Sequence, residues 1–208
     1  MARKQIIYLY VFDTLSDWEP GFAIAGINNP QFQRTPGAYR IKTVSLTTSP
    51  VRTIGGLTIT PDTTIDKVSL AASPLFIVPG GAAWDKGKNS EAAELARRFL
   101  EAGKTVAAIC GATVGLAKAG LLDQRKHTSN SKDYIAATGY AGLKNYRKQA
   151  AVNDRGLITS PAMAPLEFAR EIFAELGIYE PAVLEAWYKL YKSRDEKYFQ
   201  TLMQAAGA

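Results

Sequence analysis

Hydrophobic positions along the chain fall into two patterns. Ile6–Phe12, Leu75–Val78 and Thr105–Ile109 are short, nearly continuous apolar runs that read as strands buried on both faces. The segments between them carry helical spacing. A helix is expected from about Trp18 to Ile27, and another over Glu91–Ala102, where Leu95, Phe99 and Ala102 share a face and Gly103 stops the pattern. Gly111–Ala119 reads as a helix ending at Gly120. Tyr39–Leu46 alternates like a half-exposed strand, and Val51–Pro61 holds Gly55-Gly56 between two short β-like pieces, a hairpin signal. Beyond Lys126–Ser129 and a helix from about Ser131, strands are expected at Ala150–Asn153 and Leu157–Thr159, joined by the turn Asp154-Arg155-Gly156. Pro165 opens a helix lined on one side by Leu166, Ala169, Ile172, Phe173 and Leu176, and Gly177 closes it. Pro181–Ala206 reads as two helices, with Val183, Trp187 and Leu190 on one stripe and Ser193-Arg194-Asp195-Glu196 as a capping box for the second. Strands alternating with helices imply an α/β fold, a mostly parallel sheet with helices on both faces. One domain over 1–208 is expected, with a core of about 4–177 and a helical extension of about 181–206.

Composition narrows the chemistry. The 208 residues include one Cys (Cys110) and one His (His127), which excludes an internal disulfide and a zinc-finger ligand set. The reading requires no metal and no cofactor. Arg3-Lys4 before Ile6–Phe12 imitates a signal peptide, but Asp13, Asp17 and Glu19 follow closely. A buried strand and a cytoplasmic protein are expected instead, with no membrane segment. The net charge is +6. Its local clusters, Gln124–Lys126, Lys144–Lys148 and Lys189/Lys192/Arg194/Lys197, read as solvated faces rather than a nucleic-acid surface.

Ala108-Ile109-Cys110-Gly111-Ala112 joins an apolar strand directly to a helix. This is the arrangement of a nucleophile elbow, in which small flanking residues let strand and helix approach a strained turn. A thiol at a helix N-terminus feels the positive end of the dipole, which favours the thiolate. The N–H groups of Gly111 and Gly81 are the expected oxyanion donors. The blander reading of Cys110 is a small buried hydrophobe at a strand end.

The segment Ala107–Ala112, the Pro79-Gly80-Gly81 loop and Asp17-Trp18-Glu19 together resemble the ThiJ/PfpI family of the class I glutamine-amidotransferase-like superfamily. Leu121-Leu122-Asp123 leading to His127-Thr128-Ser129-Asn130 extends the likeness. So does Leu157–Ser160 followed by Pro165-Leu166-Glu167-Phe168-Ala169. The resemblance spans about Ile6 to Gly177 and implies a flavodoxin-like three-layer sandwich and a homodimer. It also implies contact between an acidic residue of the first helix and the elbow Cys, a position matched by Glu19. A carboxyl there would have its pKa raised by burial and by a neighbouring thiolate, and could stay protonated. The alternative for Glu19 is a capping box with Ser16; Pro20 disfavours it, because the proline fits better with Asp17 as the cap.

The sequence departs from the family at its histidines. PfpI-like proteases carry His directly after the Cys, where this chain has Gly111, and other branches carry one at the position aligned with Asn130. His127 lies three residues earlier, about 10 Å and an odd step along an extended segment, so it is expected to face away and to be structural. Asn130 would face the thiol. A Cys–His–acid triad is therefore not supported. Trp18 and Trp84 flank the two loops and are candidates for pocket walls, or else for packing and dimer contacts.

Three functions remain open on these residues. The first is an enzyme in which Cys110 attacks a small carbonyl or amide substrate with Glu19 as acid–base partner. By resemblance, its chemistry would be glyoxalase-like, deglycase-like or amidase-like. The second is a redox or stress-response protein whose Cys110 meets an oxidant and becomes a sulfinic acid. The third is a non-catalytic ligand-binding or interaction protein.

Overall fold

The computed structural model describes residues 4–207; Arg3 of the basic N-terminal flank lies outside them. The elements run β1 (Gln5–Tyr10), α1 (Trp18–Asn28), β2 (Tyr39–Ser45), β3 (Val51–Arg52), β4 (Thr58–Ile59), β5 (Thr63–Thr64), β6 (Leu75–Val78), α2 (Ala82–Asp85) and α3 (Ser90–Glu101). They continue as β7 (Thr105–Ile109), α4 (Gly111–Lys118), α5 (Lys132–Ala136), β8 (Val152–Asp154), β9 (Leu157–Ser160), α6 (Pro165–Leu176), α7 (Pro181–Ser193) and α8 (Lys197–Ala206). Short 3₁₀ turns fill parts of the loops.

The main sheet has the order β5-β2-β1-β6-β7-β9-β8. All neighbours are parallel except β8, which runs antiparallel to β9. Every side chain of β6 and β7 is buried, as a strand covered on both faces requires. Each fully buried Val, Leu or Ile there contributes about 1.5–3 kcal/mol. One helical group covers the sheet through α3, which packs on β6, β7 and α4, with the Phe99 ring stacked 5.3 Å from Phe76. The other group is built on α1 and α6, which pack on each other and on β2, β7 and β9. Their close approach needs Gly26, where a Cβ would fall 2.3 Å from the Phe173 ring. The result is the mostly parallel α/β sheet expected from the alternation of runs, in the flavodoxin-like form that the resemblance implies.

The helical extension packs on this second group. Trp187 of α7 sits edge-on to Phe173 at 5.1 Å and to Phe22 at 6.1 Å. Its junction corrects one expectation. Ser193 does not open α8; it ends α7, its hydroxyl donates to the Lys189 carbonyl, and Arg194 turns the chain in the left-handed region. The β3–β4 hairpin forms as expected. It is tied to the start of α1 because the Asp17 carboxylate accepts the Gly55 N–H at 2.7 Å rather than capping the helix. The segment around Thr128-Ser129, expected to be extended like a strand, makes only a single bridge, between His127 and Tyr146.

The sheet order sets the position of the site. The chain leaves β1 to one side for β2 and later returns to the other side for β6. Loops after β1 and β6 therefore diverge at the carboxyl ends of adjacent strands, where open α/β sheets place their ligands.

Candidate functional site

Three loop starts converge at that crevice. β1 leads to α1 and Glu19, β6 leads to Gly80 and Gly81, and β7 leads to Cys110. Cys110 has φ 59° and ψ −128°, a strained combination for a side-chain-bearing residue. The turn is held by its surroundings. Cys110 N–H donates to the Ser160 carbonyl at 2.9 Å, and the Cys110 carbonyl accepts Thr113 N–H at 3.0 Å and Thr113 Oγ1 at 2.6 Å. Ser129 Oγ lies 2.7 Å from Thr113 Oγ1, which joins the elbow to the segment before α5.

Glu19 is fully buried in the first turn of α1. Its Oε2 accepts the Gly80 N–H at 2.5 Å, while Oε1 has no hydrogen-bond partner among the described residues. The capping-box alternative does not form, because Ser16 N–H donates to the Gly80 carbonyl. Gly80 sits at the centre of the group. A Cβ there would lie 2.6 Å from Cys110 Cβ, 2.8 Å from Glu19 Oε2 and 2.9 Å from Gly111 N. The absence of a side chain at Gly80 is what lets carboxyl and thiol meet. Gly81, the neighbour singled out from the sequence, has φ 153°, and a Cβ on it would lie 2.3 Å from the Thr14 carbonyl oxygen. The Pro-Gly-Gly motif marked the loop, but no sequence signal separated the roles of its two glycines.

Burial pushes the Glu19 carboxyl up to about 7. Burial, and the Glu19 carboxylate beside it, push the Cys110 thiol up to about 12, against hydrogen bonds from Asn130 and Gly111 N–H that favour the thiolate. The helix dipole expected to favour the thiolate is thus opposed at this partly buried sulfur by desolvation and by the neighbouring carboxylate. At neutral pH the pair holds a thiol next to a carboxyl close to its midpoint.

Asn130 Nδ2 donates to Cys110 Sγ at 3.3 Å, and its Oδ1 accepts the Ala162 N–H at 2.9 Å. His127 is elsewhere. It is buried, with Nδ1 2.7 Å from the Arg125 carbonyl oxygen and Nε2 2.6 Å from Tyr140 Oη. Trp84 does not wall a pocket. It is 1% exposed, its Nε1 donates to the Pro79 carbonyl, and its ring occupies the space a Cβ on Gly115 would need. Trp18 is 54% exposed and lines a shallow apolar recess with Ile54 and Leu57. Tyr134, not anticipated from the sequence, donates to Asp85 at 2.6 Å, and its hydroxyl pKa is raised by burial, Asp85, Cys110 and Glu19. Among the described residues, no three His, Cys, Asp or Glu side chains group to hold a metal, and no helix is long and apolar enough to cross a membrane.

Known proteins are similar to this chain along most of its length. A Bacillus subtilis protein described as the uncharacterized protease YoaZ is 42% identical over 200 residues, 95% of each chain. A crystal structure of a thiJ/pfpI family protein from Bacillus anthracis superposes with a TM-score of 0.91 at 38% identity, covering 99% of this chain and 98% of that one. A Pyrococcus horikoshii protein described as deglycase PH1704 is 37% identical over 98 residues, 47% of this chain and 53% of its own. The DJ-1/PfpI family profile matches residues 5–175, the segment that holds the strained cysteine, the buried glutamate and the glycine between them. The chain thus belongs to the DJ-1/PfpI family.

Proposed function

We propose that the protein is an enzyme acting on small carbonyl compounds, with Cys110 as nucleophile and Glu19 as its acid–base partner. The observation that carries this reading is the Cys110–Glu19 pair joined across Gly80, with one carboxyl oxygen unpartnered. A thiol with its pKa near 12 needs a base at the moment of attack, and a carboxylate with its pKa near 7 is suited to the task at neutral pH. As Sγ bonds to the carbonyl carbon, the thiol proton passes to Glu19 and the C=O π pair moves onto oxygen. Glu19 then returns the proton to that oxygen, giving a hemithioacetal with nothing added or lost. Gly111 N–H, which favours the ionised sulfur, is the proposed donor to the developing oxyanion.

The name of the Pyrococcus relative favours the same class of chemistry. The Bacillus subtilis name favours peptide cleavage, but expelling an amine needs an acid near the leaving group, and both His127 ring nitrogens are engaged away from the thiol. Incubation with methylglyoxal is the test. Turnover or a reversible mass adduct at Cys110, absent in Cys110→Ser, supports the reading; equal rates in both proteins remove it. Peroxide treatment followed by intact mass examines the redox alternative, which the raised thiol pKa disfavours.

We also propose that the chain forms the homodimer that the family resemblance implies. Trp18, Ile54 and Leu57 present exposed apolar surface beside the site, and sedimentation of Trp18→Glu against the parent chain tests whether they self-associate.

A further inference from the structure

A cavity of about 750 Å³ opens between residues 128–132, 146–150 and 161–164. That volume is in the range of small-molecule sites. It shares one residue with the elbow. Asn130 lines it, and the same side chain donates to Cys110 Sγ at 3.3 Å. Because Oδ1 is held by the Ala162 N–H, the amide is fixed with its NH₂ group on the sulfur.

The charges around the cavity are unbalanced. Its charged lining groups are Lys132, Lys148, Lys192 and Glu167. Glu167 is already matched: Oε1 accepts Lys192 Nζ at 2.6 Å and Tyr188 Oη at 3.0 Å, and these hydrogen bonds hold the carboxyl below its ordinary range. Lys132 and Lys148 make no ion pair among the described residues. The lining therefore includes two exposed lysines without an ion pair among the described residues, beside the hydroxyl-bearing residues Ser129, Ser131 and Tyr146, with Met163 and Pro161 supplying apolar surface. Lys148 belongs to the basic run 144–148 that reads from sequence as a solvated face. The fold divides that run, sending Arg147 to the carbonyls of Lys144 and Tyr146 and leaving Lys148 at the cavity.

We infer that this cavity binds an oxyanion, a carboxylate or a phosphate, and that the oxyanion is one end of the carbonyl compound that Cys110 attacks. The inference about the substrate rests on the proposed function; the binding of an anion does not. Lysines act as point charges without the fixed fork of arginine, so the lining accepts either anion geometry. A compound that joins the two would hold its anion by Lys132 and Lys148 and present its carbonyl at the sulfur beside Asn130.

Two measurements on the full chain separate the claims. Ligand-observed NMR with benzoate, phenyl phosphate and the neutral control benzyl alcohol reads the cavity without using the thiol. At least one anion should bind more tightly than the alcohol and weaken about threefold or more in Lys132→Gln/Lys148→Gln, and the stronger one identifies carboxylate or phosphate as the preferred group. Anions that bind no better than the alcohol, or equally to the double variant, overturn the inference. The second measurement compares alkylation of Cys110 by iodoacetate and by iodoacetamide. The iodoacetate-to-iodoacetamide rate ratio should fall about threefold or more in the double variant but hold in Lys86→Gln/Lys88→Gln, on another face. An unchanged ratio in Lys132→Gln/Lys148→Gln severs the cavity from the thiol and overturns the substrate inference. A thiol inert to both reagents, with anion binding intact, removes the proposed reaction and upholds the ligand class of the cavity.

Discussion

Cys110 and His127 are the only thiol and the only imidazole in the chain, and the fold treats them in opposite ways. His127 has both ring nitrogens engaged, by the Arg125 carbonyl and the Tyr140 hydroxyl, with Tyr140 and Tyr146 rings edge-on to it. Cys110 occupies a strained turn beside a carboxyl that retains an unused oxygen. A satisfied polar group is inert and contributes stability; one held next to an unsatisfied neighbour has somewhere to send a proton. Scarcity in the sequence marks both residues equally, and only the surroundings separate them.

The sharpest break of this contrast is at the elbow. Cys110→Ser should lower carbonyl turnover by 10³-fold or more, since the oxygen nucleophile is far less readily deprotonated by a carboxylate. Rate measurements with methylglyoxal check this. Glu19→Gln should cost about 10²–10⁴-fold and remove the rise in Cys110 alkylation expected as Glu19 ionises around pH 7; retention of that inflection would assign it to another group. Gly80→Ala, with its added carbon 2.6 Å from Cys110 Cβ, should destabilise the fold by about 1–3 kcal/mol and separate carboxyl from thiol, read by denaturant melts and by alkylation rate together.

The two regions should also differ in the sign of their pH dependence. Glu19 has a folded pKa of about 7, above its ordinary 4.5, so both states are protonated at low pH and the folded state resists ionising as pH rises. Its contribution to stability is complete below about 4.5 and declines by about 3 kcal/mol as pH rises from about 4.5 through 7. His127 is held below its ordinary 6.5 by burial, so its effect runs the other way: stability is lost as pH falls below 6.5 and the unfolded chain takes up the proton. Urea titrations across pH 4–8 on Glu19→Gln and His127→Ala should remove one slope each. His127→Ala is the smallest expected effect on chemistry, within about twofold in Cys110 alkylation, while orphaning Tyr140 Oη should cost about 1–3 kcal/mol of stability. A large loss of alkylation rate in that variant would end the separation of the two regions.

The legibility of these features in the sequence followed the range of the interactions behind them. β6 and β7 are continuous apolar runs because both faces are covered, and α6 is bracketed by Pro165 and Gly177, so local signals located them. Two-residue β5 and four-residue α2 are too short to show a period. Ser193 misled because the residues of a capping box also suit the end of a preceding helix. At the site, the elbow and the Pro-Gly-Gly loop were visible as motifs, and Glu19 came through resemblance. The opposition between helix dipole and burial at the sulfur was not visible, because Glu19 and Gly80 come to Cys110 from parts of the chain distant in sequence. Trp84 was equally ambiguous: an aromatic beside a glycine loop is compatible with a wall or a foundation until Gly115 is seen beneath it.

That foundation has an experimental use. Trp84 is shielded from water, keyed to the Pro79 carbonyl, and lies so close under the elbow that a Cβ on Gly111 would sit 3.2 Å from the indole-bearing Cβ. In a Trp187→Phe background, which removes the other buried indole, its fluorescence should register a group attached to Cys110 as a change in quenching, while Trp18, largely in solvent, emits at longer wavelength and supplies an internal reference. The protein contains its own optical gauge of cysteine occupancy, readable in stopped flow without a label.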